Sequence, residues 1–178
     1  MKFFFASDIH GDLTACQNML AAFEKEGGER LVLLGDLLYH GPRNSLPENY
    51  DPKGVIALLS RYRRKILAVR GNCDTEVDQM VLPFPVLADY GVLALPVGLV
   101  YLTHGHRYNA ETPPPLSEGD ILIHGHTHVA GVTRTTEGNL CLNPGSVSMP
   151  KGELPASYMV YSDGRFTICR LSDGKVLA

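Results

Sequence analysis

The chain alternates short apolar runs with polar, glycine-marked breaks, and the breaks hold its chemically interesting residues. Phe3-Phe4-Phe5-Ala6 contains no polar residue and gives way at once to Ser7-Asp8-Ile9-His10-Gly11-Asp12. The same grammar recurs downstream. Leu31-Val32-Leu33-Leu34 ends in Gly35-Asp36, Ile66-Leu67-Ala68-Val69 in Arg70-Gly71-Asn72, Leu99 to Thr103 in His104, and Ile121-Leu122-Ile123 in His124-Gly125-His126-Thr127-His128. Apolar runs this short, bounded by turn residues, predict buried strands that empty into loops. Alternation along a strand would send the side chains of Asp8 and His10 the same way. Five strand ends are therefore expected to present oxygen and nitrogen ligands along one edge of a sheet, the edge where open α/β sheets bind ligands.

Between these runs the period changes. Leu13, Cys16, Leu20 and Phe23 share one helical face behind Asp12 as N-cap, and Gly27-Gly28 stops that helix. Asp51-Pro52 supplies a cap and a first-turn proline for a second helix with Val55, Ile56, Leu59 and Tyr62 on its buried face. Asp74 to Met80 predicts a short helix ended by Pro83 and Pro85. The stretch from Tyr39 to Asp51 is too rich in Pro, Asn and Gly for regular structure and is expected to form a long loop over the strand ends. Further strands are predicted at Val86–Tyr90, Val92–Leu95, Val129–Thr135, Leu140–Leu142, Ser157–Tyr161 and Arg165–Leu171. A helix-rich first half before a strand-rich second half predicts a layered α/β fold, two facing sheets with the early helices outside. The pattern does not order the strands.

Composition changes this picture little. The 178 residues predict one domain over 1–178, and 44% hydrophobic with 20% charged residues is ordinary for a globular chain. A net charge of -3 argues against a grip on long nucleic acid, which needs a basic surface. A small anionic substrate remains compatible if metal supplies the local charge. Cys16, Cys73, Cys141 and Cys169 form no C-x-x-C pair and read as free thiols. The first apolar run is too short for a signal peptide and no stretch approaches a membrane span, so a cytoplasmic location without membrane partners is expected.

Asp8-x-His10, Gly35-Asp36 and Gly71-Asn72 are each weak alone, because such dipeptides usually mark turns. Their joint position after apolar strands, with five of the seven histidines in residues 104–106 and 124–128, is what carries weight. Asp8, His10, Asp36, Asn72, His104, His126 and His128 are too many ligands for one tetrahedral zinc and suit two ions sharing a carboxylate. Histidine and carboxylate without a cysteine cluster favour first-row divalent ions, with Mn foremost and Fe, Zn, Co, Ni or Mg admissible.

With these blocks in this order, the chain resembles the calcineurin-like metallophosphoesterases. More narrowly, Gly41-Pro42-Arg43-Asn44, Gly71-Asn72-Cys73-Asp74 and Asn143-Pro144-Gly145-Ser146 are similar to small bacterial phosphodiesterases of the YfcE type. The resemblance runs from Asp8 to about Lys151. It implies a two-sheet sandwich flanked by helices, with Asp8, His10 and His128 on one ion, Asn72, His104 and His126 on the other, and Asp36 bridging. A hydroxide held between the ions would then attack a small phosphodiester. His106 is a candidate to orient a ligand or touch phosphate, and His40 and Arg43 are candidates to touch substrate. In many relatives a histidine that protonates the leaving alcohol follows the Gly-Asn asparagine; here Cys73 stands there, a poorer proton donor at neutral pH.

Three other readings compete. A phosphomonoesterase would use the same ligands. A retromer subunit of this fold acts mainly as an interaction scaffold, but its ligand set is incomplete, whereas all seven positions are competent here. A metallo-β-lactamase-type zinc site, suggested by His124-x-His126, lacks the Asp-His that Thr127-His128-Val129 fails to provide. A homo-oligomer is compatible with the sequence.

Overall fold

The computed structural model describes residues 1–178. Its elements run β1 (Phe3–Ala6), α1 (Leu13–Lys25), β2 (Arg30–Leu33), α2 (Pro52–Arg61), β3 (Ile66–Ala68), α3 (Glu76–Val81) and β4 (Gly91–Leu95). There follow β5 (Gly98–Leu102), β6 (Ile121–Ile123), β7 (Gly131–Arg134), β8 (Leu140–Asn143), β9 (Ser157–Ser162) and β10 (Arg165–Arg170). They form two mixed sheets of five strands, ordered β10-β9-β1-β2-β3 and β4-β5-β6-β8-β7.

β1 is apolar throughout because both its faces are covered. Phe3 and Phe5 join Val32, Leu34, Val100, Ile121 and Met159 in the core between the sheets. Phe4 and Ala6 face the other way, into a core with Met19 and Phe23 of α1 and Val55 and Leu59 of α2. Phe4 stacks on Tyr158 with ring centroids 4.5 Å apart. Each such aromatic or branched side chain contributes about 1.5–3 kcal/mol when fully buried.

Both predicted caps are formed. Asp12 accepts the Ala15 N–H at 2.9 Å, and Asp51 accepts the Gly54 N–H at 3.0 Å ahead of Pro52. Two expected elements differ. Val86–Tyr90 is irregular, because the Val86 N–H donates to the Gln79 side chain at 2.9 Å and the Ala88 carbonyl accepts the Arg70 N–H at 2.8 Å, leaving no strand ladder. The third helix begins at Glu76 with Thr75 as N-cap, not at Asp74. Asp74 is buried and committed elsewhere, as shown next.

Candidate metal centre

β1, β2 and β3 are parallel neighbours, so the loops that leave them lie side by side and bring Asp8 and His10, then Asp36, then Asn72, to one end of the first sheet. β5 and β6 are parallel in the second sheet and lead into His104 and into His126 and His128. The expected single sheet edge is thus the shared edge of a sandwich. One sheet could not supply both sets, since β1 has β9 and β2 as its neighbours and β5 and β6 lie in the other sheet.

The convergence of Asp8 and His10 is not strand alternation either. β1 stops at Ala6, and Asp8 and His10 follow with φ of 60° and 51°. Asp36, His126 and His128 are also left-handed, with φ of 56°, 66° and 62°; elsewhere only Glu153 and Asp163 are non-glycine residues of this kind. Such backbone costs on the order of 1–3 kcal/mol per residue and persists only where surroundings enforce it. The Asp8 N–H donates to the Gly35 carbonyl at 3.1 Å and the His10 N–H to the Asp36 carbonyl at 2.9 Å, which fixes these turns. Gly71 meets a different need: a Cβ there would lie 2.1 Å from Asp36 Oδ1. The glycine of Gly71-Asn72 therefore lets two ligand loops touch.

The side chains fall into two groups. In the first, Asp8 Oδ1 lies 3.3 Å from His128 Nε2 and 3.6 Å from His10 Nε2, and the two imidazole nitrogens are 3.3 Å apart. In the second, His104 Nε2 lies 3.4 Å from Asp36 Oδ2, 3.2 Å from His126 Nδ1 and 3.1 Å from Asn72 Oδ1. Asp36 Oδ2 is also 3.7 Å from His10 Nε2, so this carboxylate stands between the groups. Backbone carbonyls set the tautomers: Nδ1–H of His10 donates to Tyr39 at 2.8 Å, of His104 to Leu34 at 2.6 Å, and of His128 to Met149 at 2.7 Å. Each then turns an Nε2 lone pair inward, the usual support for a metal-binding histidine.

These residues fit divalent ions. Asp8 Oδ1 is buried without a hydrogen-bond partner while facing two imidazole nitrogens, an arrangement that only a cation or proton relieves. Burial alone would raise the Asp8 and Asp36 carboxyls, yet His10 and His128 hold Asp8 well below the usual carboxylate range, and His104 lowers Asp36. Burial opposes charge on His104, but Asp36 and Asp8 outweigh it and push that imidazole up to about 9. His126 moves the other way, lowered by burial and by His104.

Several residues that carry no ligand role in the sequence hold the ligand loops in place. Asp74 Oδ2 accepts the N–H of Asp36 at 2.8 Å and of Gly71 at 2.7 Å, and its Oδ1 accepts the N–H of Leu37 at 2.9 Å. One carboxylate thus ties the Asp36 loop to the Asn72 loop. Its only sequence signal is adjacency to Gly71-Asn72-Cys73. Ser146 and Ser148 hydroxyls donate to the Asp8 carbonyl at 2.9 and 2.7 Å, and Asn143 Nδ2 donates to the Gly125 carbonyl at 2.9 Å. The Asn143-Pro144-Gly145-Ser146 block therefore braces ligand loops from both sheets.

The groups open into a cavity of about 500 Å³ whose wall includes Arg43, Asn72, Cys73 and, unanticipated, Asn44, Thr127 and Lys151. Cys73 Sγ also falls within a third cluster with His10 and Asp36. His40 packs edge-on between Tyr39 and Tyr50, and His106 sits beside His104 and His126; neither lines the cavity. His124 is buried, with Nδ1 3.0 Å from the Gly125 carbonyl, and burial lowers its pKa. No helix is long and apolar enough to cross a membrane, and all four cysteines are free.

The family model of the calcineurin-like phosphoesterase superfamily domain matches residues 1–163. Phosphodiesterase YfcE of Escherichia coli K12 is 46% identical over 178 residues, covering 100% of this chain and 96% of the relative. The solved structure of Yfce, a phosphoesterase from E. coli, superposes with a TM-score of 0.95 at 45% identity, over 100% of this chain and 97% of the other. Vacuolar protein sorting 29 from Cryptosporidium parvum shares the fold at a TM-score of 0.64 and 20% identity, over 99% of this chain and 94% of the other.

Proposed function

Because the chain belongs to the calcineurin-like phosphoesterase superfamily, we propose that it is a metal-dependent phosphodiesterase of small phosphodiesters with a two-ion centre. In this reading Asp8, His10 and His128 hold one ion, Asn72, His104 and His126 the other, and Asp36 bridges them. The observation that carries it is the pair of clusters, Asp8-His10-His128 and Asp36-His104-His126, which reach one cavity through His10, His128, Asp36 and His126. The choice of a diester over a monoester leans on the 46% identical relative, which is named a phosphodiesterase. The fold alone is shared with a vacuolar protein sorting 29 protein, so the complete ligand set, and not the fold, is what favours hydrolysis.

Divalent ions held by these residues would supply an activated water nucleophile and Lewis-acid stabilisation of charge on the phosphoryl group. The chain does the rest. Tyr39, Leu34 and Met149 carbonyls keep three imidazoles aimed, and Asp74 holds the Asp36 and Asn72 loops in register. Asn72, exposed on the cavity wall, is placed to orient the phosphate through its amide, and Arg43 lines the same wall as a candidate substrate contact. His40 and His106 act from behind the wall, by supporting the loop and the neighbouring imidazoles.

Metal-stripped protein should be inactive on bis(4-nitrophenyl) phosphate, regain turnover with Mn, and regain much less with Ca, which prefers more oxygen ligands at longer distances. Equal rescue by Ca, or undiminished turnover after stripping, counts against the centre. The loop from His40 to Tyr50 follows Tyr39, whose carbonyl anchors His10 at 2.8 Å, while no hydrogen bond joins residues 44–48 to a candidate ligand. Deleting 44–48 should raise KM for bulky diesters at unchanged metal content. Loss of metal by elemental analysis would instead tie the loop tip to the centre.

A further inference from the structure

The cavity holds more charge than hydrolysis of a simple diester requires. Its volume of about 500 Å³ lies within the range of pockets that take whole small-molecule ligands. No Leu, Ile, Val, Met, Phe or Tyr lines it; Pro42 and Cys73 stand among histidines, amides and charged side chains. Asp36 is the only carboxylate on the wall, and it is engaged by His104 and by the proposed centre. Arg43 and Lys151 also line it, from two separate loops, and neither enters an ion pair. The Lys151 backbone lies beside a candidate ligand, its N–H donating to the His128 carbonyl at 3.0 Å, and its side chain is exposed. Thr127 Oγ1 accepts from Asn143 Nδ2 at 3.0 Å, leaving its hydroxyl proton free for a ligand.

We infer that Arg43 and Lys151, with Thr127, form a second anion site in this cavity, and that the substrate is a phosphodiester bearing an additional terminal phosphate. The inference rests on the phosphodiesterase reading above. In that reading, divalent ions held by the Asp8 and Asp36 clusters would answer the charge of the scissile diester, whereas Arg43 and Lys151 meet no carboxylate. Arg43 and Lys151 remain as uncompensated positive charge. A terminal phosphate carries about -1.5 to -2 at neutral pH and offers three strong acceptors, which matches one guanidinium, one ammonium and one hydroxyl. A carboxylate would answer only part of that charge.

The test uses full-length, Mn-loaded protein and matched probes. By calorimetry, thymidine 3′,5′-bisphosphate should bind at least about tenfold more tightly than thymidine 5′-phosphate, the scale expected of charge-assisted contacts. In Arg43→Gln and in Lys151→Met that ratio should fall to within about twofold of unity. In turnover, the 4-nitrophenyl ester of thymidine 5′-phosphate carrying a 3′-phosphate should exceed the 3′-hydroxyl ester in kcat/KM by a similar factor. The preference should again collapse in both variants. A wild-type binding ratio near one, or a ratio that survives both substitutions, overturns the second site. If both esters are cleaved without preference, the second site falls and the phosphodiesterase reading stands. If neither is cleaved while the binding preference and its loss persist, the second site stands and that reading falls.

Discussion

Asp36→Asn should lower diester hydrolysis by more than the roughly 10–100-fold that loss of an outer partner of a metal ligand costs, because this carboxylate stands between both ligand groups. Its Oδ2 lies 3.4 Å from His104 Nε2 and 3.7 Å from His10 Nε2, while Oδ1 accepts the Cys73 N–H at 2.8 Å. Asparagine keeps an oxygen for that last bond, so the fold should survive. It cannot supply the negative charge that opposes two cations. Elemental analysis should show depleted metal, and circular dichroism an unchanged fold. Asp12→Asn is the matched control, since asparagine caps a helix as well as aspartate does. Near wild-type turnover with full metal content in Asp36→Asn would end the bridging assignment.

Cys73 gives the second large effect, and its sign depends on the leaving group. Burial and the neighbouring Asp36 push its thiol up to about 12. A thiol is a poorer proton donor than an imidazole near neutral pH, and the imidazole clustered with it, that of His10, is assigned to the proposed metal centre and is not free to serve as a base for the thiol. Hydrolysis should therefore be fast for nitrophenyl esters and slow for alkyl esters. Cys73→His should accelerate the alkyl esters by up to about 10² if the ring reaches the leaving oxygen. Cys73→Ser should change turnover of a nitrophenyl diester little. A Cys73→Ser protein that is inactive on that activated substrate, with metal intact, would mean that the thiol attacks phosphorus itself.

The ligand-bearing loops are readable in the sequence because buried strands leave unbroken apolar runs, so that polar residues directly after them stand out. Asp36, Asn72 and His104 all announce themselves this way. Asp74 does not, since its role is fixed by three backbone N–H groups that no local pattern encodes, and a carboxylate before Thr75 reads as a helix start. Lys151 looks like any surface lysine until the Asn143–Ser148 segment is seen to brace the Asp8 loop. Strand order is hidden for a similar reason: it depends on which apolar faces pair across long separations. Left-handed backbone, not alternation, aims Asp8 and His10, and left-handed backbone at a non-glycine residue has no compositional signature.

Each candidate ion site draws on both sheets. Asp8 and His10 leave the first sheet and meet His128 from the second; Asp36 leaves the first and meets His104 and His126 from the second. Cations bound there would rivet the open end of the sandwich, where five left-handed residues otherwise strain the loops. By mass action, a ligand at a thousand times its Kd that binds only the folded chain adds about 4 kcal/mol to stability. Such a linkage makes the protein's thermal endurance a function of free metal concentration. Starvation for the metal would then act on the lifetime of the folded chain as well as on its rate of turnover, beginning with the loops at the joined ends of the sheets.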